Sequence, residues 1–176
     1  VIQKHPEIAK RLAEGYERWW QSFEAEGVNE RYAYIKVGTP HENPVRIAVH
    51  DMLSSNMGQA WHQKGIAKAV PATGRWKIEF VTTGKYKVSL RRFPKEANLA
   101  INATFPKVSD TRRIAMPLPA SEKSDFKEVY LNFGQNDKRE SILTDATEVT
   151  FELEVAAGKY DVEAQLIDEA GRVHPA

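Results

Sequence analysis

Two adjacent arginines, Arg91 and Arg92, close the stretch YKVSLRRFP at residues 86–94. Its alternation puts Tyr86, Val88 and Leu90 on one face of a strand and Lys87, Ser89 and Arg91 on the other. The apolar face should continue, yet its next position is Arg92. A guanidinium is the side chain suited to planar, bidentate recognition of sulfate or carboxylate. Three readings are open. The strand is ending and Arg92 reaches water past Phe93-Pro94, where proline stops the ladder. It is tied to a carboxylate, with Asp51 or Glu96 as candidates. Or it faces an anion, or a second domain, beyond the sheet edge. The strand-end reading is preferred because of the proline.

The other residues with chemistry to offer are scattered. The histidines are His5, His41, His50, His62 and His174. His50-Asp51 and His62 could contribute to a metal site, but no HxH or HExxH spacing supports one, and a strand-end and a loop histidine are expected instead. In the long loop MLSSNMGQAWHQKGIAKAVPATG, residues 52–74, the run Trp61-His62-Gln63 could form a sugar-stacking platform or a plug over the end of a sandwich. The plug is favoured. No G-x-S-x-G elbow, P-loop or G-x-G-x-x-G is present, so neither a serine triad nor a phosphate cradle can be argued. The candidate substrate-binding or domain-junction residues are therefore Arg91, Arg92, Trp61, Gln63, His50 and Asp51, with no catalytic residue and no metal ligand among them.

Composition narrows the setting. The 176 residues carry a formal charge of +1, which offers no bulk electrostatic attraction for nucleic acid. With no cysteine, disulfides, thiolate metal sites and a cysteine nucleophile are excluded. The longest apolar run is far short of a membrane span. The chain opens at Val1 rather than Met, with a helix as its first element, so a segment of a longer protein is expected.

These residues must be positioned by two kinds of element. In HPEIAKRLAEGYERWWQSF, Ile8, Leu12, Tyr16, Trp19, Trp20 and Phe23 form one helical stripe, with Pro6 in the first turn and Gly27 as the stop. Two tryptophans on such a stripe require a partner surface. From about residue 30 the period becomes two. Strands are expected at 31–37, 44–50, 75–81, 85–90, 111–118, 128–133, 148–155 and 159–167. The charged runs DTRRIAMP and NDKRES read as solvated faces. RWKIEFVTTGKYKVSL and EVTFELEVAAGKYDVEAQL each read as a hairpin with Gly84 or Gly158 at the turn. The expected fold is mainly β: a β-sandwich or jelly roll of about eight antiparallel strands over 28–176, preceded by an amphipathic helix over 1–27.

The helix with its His5-Pro6-Glu7 start and its Tyr16/Trp19/Trp20 finish resembles the helix that follows the catalytic domain in bacterial arylsulfatase A-type sulfatases. NPVRIAVHD, AWHQKGIAKAV, GRWKIEFVTTGKYKVSLRRFPKEA and TFELEVAAGKYDVEAQLID look like the rest of that C-terminal region, although His50-Asp51-Met52 stands where the family tends to have His-Asp-Trp. The resemblance implies a secreted or periplasmic sulfuric ester hydrolase with a formylglycine made from a C/S-x-P-x-R motif and calcium nearby. Neither a cysteine nor a serine followed by x-Pro-x-Arg occurs in this chain. The expectation is thus a non-catalytic accessory domain, packed on a catalytic domain of the same chain and near its sulfated carbohydrate. An independent carbohydrate-binding module is the alternative, with Trp61 or Trp76 as platform; Trp76 alternates with Ile78 and Phe80 and so is expected in the core. A row of exposed aromatics on one face would favour the alternative.

Overall fold

The computed structural model describes residues 2–27, 32–55, 63–109 and 117–175. It divides into two units, residues 1–33 and 34–176.

The first unit is helix α1, Pro6–Ala25. Pro6 occupies the first turn, where its missing N–H removes no hydrogen bond, and Gly27 ends the helix at φ +66. The apolar stripe forms as its spacing requires. Tyr16 stacks near Trp20 with ring centroids 6.4 Å apart, and Trp19 lies 4.6 Å from Phe23. All six stripe side chains are exposed, from 37% for Trp20 to 65% for Leu12.

The second unit is mainly β. Among the described residues its nine strands are β1 (Ile35–Val37), β2 (Leu53–Ser54), β3 (Gly74–Phe80), β4 (Gly84–Leu90), β5 (Phe126–Phe133), β6 (Asn136–Ser141), β7 (Val149–Val155), β8 (Gly158–Asp168) and β9 (Val173–Pro175). A seven-stranded sheet runs β1-β3-β8-β5-β6, with β2 added to β3 and β9 to β8; β4 and β7 form a second sheet of two strands. Most pairs are antiparallel, but β1 runs parallel to β3. A five-residue helix, α2 (Gln63–Ala67), sits in the loop before β3.

The inner faces share one core. Trp76, Ile78, Phe80, Val129, Leu131, Val162 and Leu166 come from the larger sheet, and Leu90, Phe151, Leu153 and Val155 from the smaller. Alternation does the sorting. In β4 and β7 the outward positions pair across the ladder as Lys85 with Glu154, Lys87 with Glu152 and Ser89 with Thr150. The Ser89 and Thr150 hydroxyls are 2.8 Å apart. Trp76 belongs to the core, as its alternation requires, and its indole N–H donates to the Ala48 carbonyl at 2.8 Å.

Several expectations are corrected. The two Gly-Lys-Tyr segments are not hairpins. β3 pairs with β8 and β4 with β7, so each segment is an arch that crosses from one sheet to the other. The two arches interlock, because both of their strands pair with the other arch. Gly84 lies outside the positive-φ region, as no tight reversal occurs there. Hairpins do form between β5 and β6, through Gly134 and Gln135 with Gly134 at φ +65, and between β8 and β9.

Residues 44–50 do not form a strand. Val45, Ile47 and Val49 alternate as expected and are half-buried, but they pair with no strand among the described residues. The Asp51 carboxylate takes the Ala48 N–H at 2.9 Å and the segment ends in a single 3-10 turn, Val49–Asp51. NDKRES, read as a solvated charge run, is solvated and is also strand β6. It lacks a hydrophobic alternation because it is an edge. Lys138 and Glu140 stand opposite Leu131 and Val129 and are exposed, a placement that discourages a further strand from pairing. The strand expected at 111–118 falls mostly outside the described residues; Leu118 bridges Val108.

Leu166 is fully buried in the central strand of the larger sheet. Leu166→Ala is expected to lower the unfolding free energy of the β unit by about 2–5 kcal/mol. Lys138→Ala on the edge should stay within about 0.5 kcal/mol. Urea titration followed by near-ultraviolet circular dichroism measures both, and equal effects would contradict the core assignment.

Candidate functional site at the closed end of the sandwich

Strand alternation separates the two adjacent arginines. Arg91 points outward and extends the charge ladder of the smaller sheet by pairing with Glu148. Arg92 continues the inward series of Tyr86, Val88 and Leu90 past the last rung of β4, and is only 8% exposed. It does not reach water at a rim, which overturns the preferred reading. The carboxylate tie fails as well: Glu96 pairs with Arg46, and Asp51 caps its own turn.

The Arg92 partners come from α2 and from two segments outside the named strands, at residues 101 and 124. Nη1 donates to the Ile101 carbonyl at 3.2 Å and to Ser124 Oγ, and Nη2 donates to the Ile66 carbonyl at 3.2 Å. The guanidinium also lies 4.6 Å from the Phe93 ring centroid and 5.5 Å from that of Phe126, positions suited to cation–π attraction. Beyond the last rungs of a sheet, carbonyls of crossing loops have no ladder partner and need donors. A single guanidinium, with its donors in a fixed fork, supplies several at once. Burial pushes the Arg92 pKa down to about 10, so the group stays charged at neutral pH. Among the described residues it has neutral hydrogen-bond partners and no counter-charge.

A second buried charge lies at the same end. Asp168 closes β8, and its carboxylate organises the turn to β9. Oδ1 accepts from the Ala170 N–H at 3.0 Å and the Arg172 N–H at 2.8 Å; Oδ2 accepts from Arg172 Nε at 2.6 Å and faces His174 Nε2 at 3.3 Å. Burial pushes the Asp168 pKa up, but the hydrogen bonds from Arg172 and His174, with the Arg172 charge, outweigh it and hold the pKa at about 2. His174 is buried against the edge of the Phe126 ring, and its Nδ1 has no hydrogen-bond partner.

Beside Asp168 and Ser124, the latter a partner of Arg92, lies a pocket of about 210 Å³. Ser124, Phe126, Asp168 and His174 line its buried side, and Lys68, Lys123 and Arg172 stand at its exposed side. Glu122 and Asp125 are also part of the wall and are exposed.

Of the residues singled out in the sequence, Arg92 alone belongs to this arrangement. Arg91 is on the outer face, and His50 and Asp51 are exposed in their 3-10 turn. Gln63 begins α2, while Trp61 and His62 lie outside the described residues. Ser124, Asp168 and His174 were missed. Asp168 and Gly171 carry a turn signal, but nothing local connects that turn to residue 124. Among the described residues no three His, Asp or Glu side chains group as a metal site, so no calcium ligand set can be assigned to them. No described helix is long and apolar enough to cross a membrane. No protein-family model, curated protein or solved structure matches the chain.

Two outcomes test this geometry. Arg92→Lys, with one ammonium in place of a fork, is expected to cost about 1–3 kcal/mol and to speed amide exchange in residues 63–67 more than in β8. Hydrogen exchange with mass detection reads this, and uniform loosening would contradict the stitching role. For Asp168 the folded pKa lies below the unfolded value of about 3.9. Its stabilisation, on the order of 2 kcal/mol, is therefore complete above about pH 5 and is lost as pH falls toward 2. Asp168→Asn should flatten the loss of stability over that interval, and an unchanged slope in urea titrations would rule the role out.

Proposed function

We propose that this chain is the C-terminal, non-catalytic accessory region of a periplasmic or secreted sulfatase. In this reading it supports the catalytic domain and contributes to the surroundings of its sulfated substrate. The observation that carries the reading is α1. Its motif residues, Tyr16, Trp19 and Trp20, are the ones that resemble the sulfatase helix, and they are exposed together with Ile8, Leu12 and Phe23. An apolar stripe over about four turns of helix is surface of the kind that proteins cover with another domain. Its flanking charges are mixed, with Lys10, Arg11 and Arg18 beside Glu7, Glu14 and Glu17. Mixed signs suit a protein surface better than an anionic membrane, which selects Lys and Arg.

The catalytic machinery implied by the resemblance belongs to the domain that α1 would dock on. No formylglycine motif occurs in this chain, and no catalytic role is assigned to any of its residues. The alternative, an independent carbohydrate-binding module, draws less support. Among the described residues 34–176 no aromatic side chain is exposed, and the half-buried Tyr130 on the outer sheet face has Arg139 only 4.9 Å from its ring.

The parent coding sequence tests the proposal directly. It should contain a C/S-x-P-x-R motif upstream of Val1, and a parent without one would refute it. In the parent protein, Trp19→Ala with Trp20→Ala should lower thermal stability and sulfatase activity together, by about tenfold or more in activity at assay temperature. Full activity in a folded double variant would remove the docking role.

A further inference from the structure

The pocket beside Ser124 has a charge arrangement that the accessory reading does not use. Arg92 holds a buried positive charge with no counter-charge among the described residues, and its Nη1 donates to Ser124 Oγ. Because that oxygen accepts from Arg92, its own O–H is left to donate elsewhere. Ser124 is itself only 8% exposed and forms part of the pocket wall. Lys68 and Lys123 stand at the open side, and neither is paired with a carboxylate among the described residues. Of the three acidic groups in the wall, Asp168 is already engaged by Arg172 and His174, while Glu122 and Asp125 are exposed to water. Counting Arg92 behind the wall, the cations Arg92, Lys68, Lys123 and Arg172 outnumber the anions Glu122, Asp125 and Asp168 by one.

We propose that this pocket binds a compact oxyanion, either a free sulfate or the sulfate group of a saccharide. Ser124 donates a hydrogen bond from its hydroxyl to the anion, Lys68 and Lys123 flank it, and Arg92 polarises the serine from behind. The anion supplies the negative charge that the buried guanidinium lacks, and it does so without ordering a long side chain. A cation with fixed neutral partners is already oriented before the ligand arrives, so little reorganisation opposes binding. About 210 Å³ accommodates a sulfate group with room for part of an attached sugar ring. The inference stands on this pocket and holds whether or not the chain belongs to a sulfatase.

The test is a two-dimensional amide and arginine-Nε correlation titration of the full 176-residue chain. Four ligands are compared at matched ionic strength: sodium sulfate, sodium chloride, a 6-sulfated monosaccharide and its unsulfated parent. The expected result is saturable movement of the Ser124 amide and the Arg92 Nε–H with sulfate, with the sulfated sugar, or with both. Binding of free sulfate identifies an anion site; saturation with the sulfated sugar alone identifies a site for the ester, and either supports the proposal. Ser124→Ala should weaken binding by about tenfold, as expected for loss of a hydrogen bond to a charged group. Lys68→Ala with Lys123→Ala, both at exposed positions, provides a second variant should Ser124→Ala disturb folding. Shifts that match those with chloride would overturn the proposal, because screening alone would explain them. So would equal response to the unsulfated sugar, or wild-type affinity in a folded variant of either kind.

Discussion

The pairing of β3 with β8 and of β4 with β7 is the constraint on which the rest of the β unit depends. Each arch contributes one strand to each sheet, so the two-stranded sheet needs both arches and the larger sheet takes a strand from each. Residues 82 and 63 positions apart are thereby brought into register, with Ile78 opposite Tyr160 and Val88 opposite Phe151. Their inward side chains form one core rather than two. Deleting a strand from either arch would expose the inner face of the opposite sheet, which is why a two-stranded sheet persists here although an isolated pair is marginal in water.

Crossing between sheets creates a difficulty at the end of the sandwich. The end of α2 at Ile66 and the segments at residues 101 and 124 converge there, outside the sheet ladders. Arg92 and Asp168 solve it with opposite chemistry. Arg92 donates to backbone carbonyls and a serine hydroxyl, whereas Asp168 accepts from turn N–H groups and two side chains. Both charges are buried, and the chain compensates them unequally. Asp168 has Arg172 beside it, while Arg92 is held by neutral partners and two aromatic rings. The adjoining pocket meets the uncompensated charge only through Ser124, which accepts from Arg92.

The helical unit presents the reverse problem. Its ladder of backbone bonds is internal, with no side-chain cap at His5, but its apolar side chains are exposed. Helix propensity contributes little to so amphipathic a segment compared with burial of its stripe. A surface that completes such a stripe is therefore the natural complement of the unit, as the accessory-domain reading requires.

The amino-acid sequence by itself determined the local choices: a helix wherever the apolar period is 3.6, strands wherever it is two, and a mainly β unit after the helix. It also marked Arg92 as out of place, since an inward strand position should not be charged. Tertiary structure decided everything that depends on partners. RWKIEFVTTGKYKVSL has the alternation of a hairpin and becomes an arch, because the same pattern fits either connection until a second sheet competes for the strand. PVRIAVH alternates and pairs with no strand among the described residues, while NDKRES does not alternate and joins a sheet because an edge strand needs no buried face. The pocket was illegible for the same reason. Ser124, Asp168 and His174 meet only after β5, β8 and β9 are in register, and no local spacing records a contact made by folding.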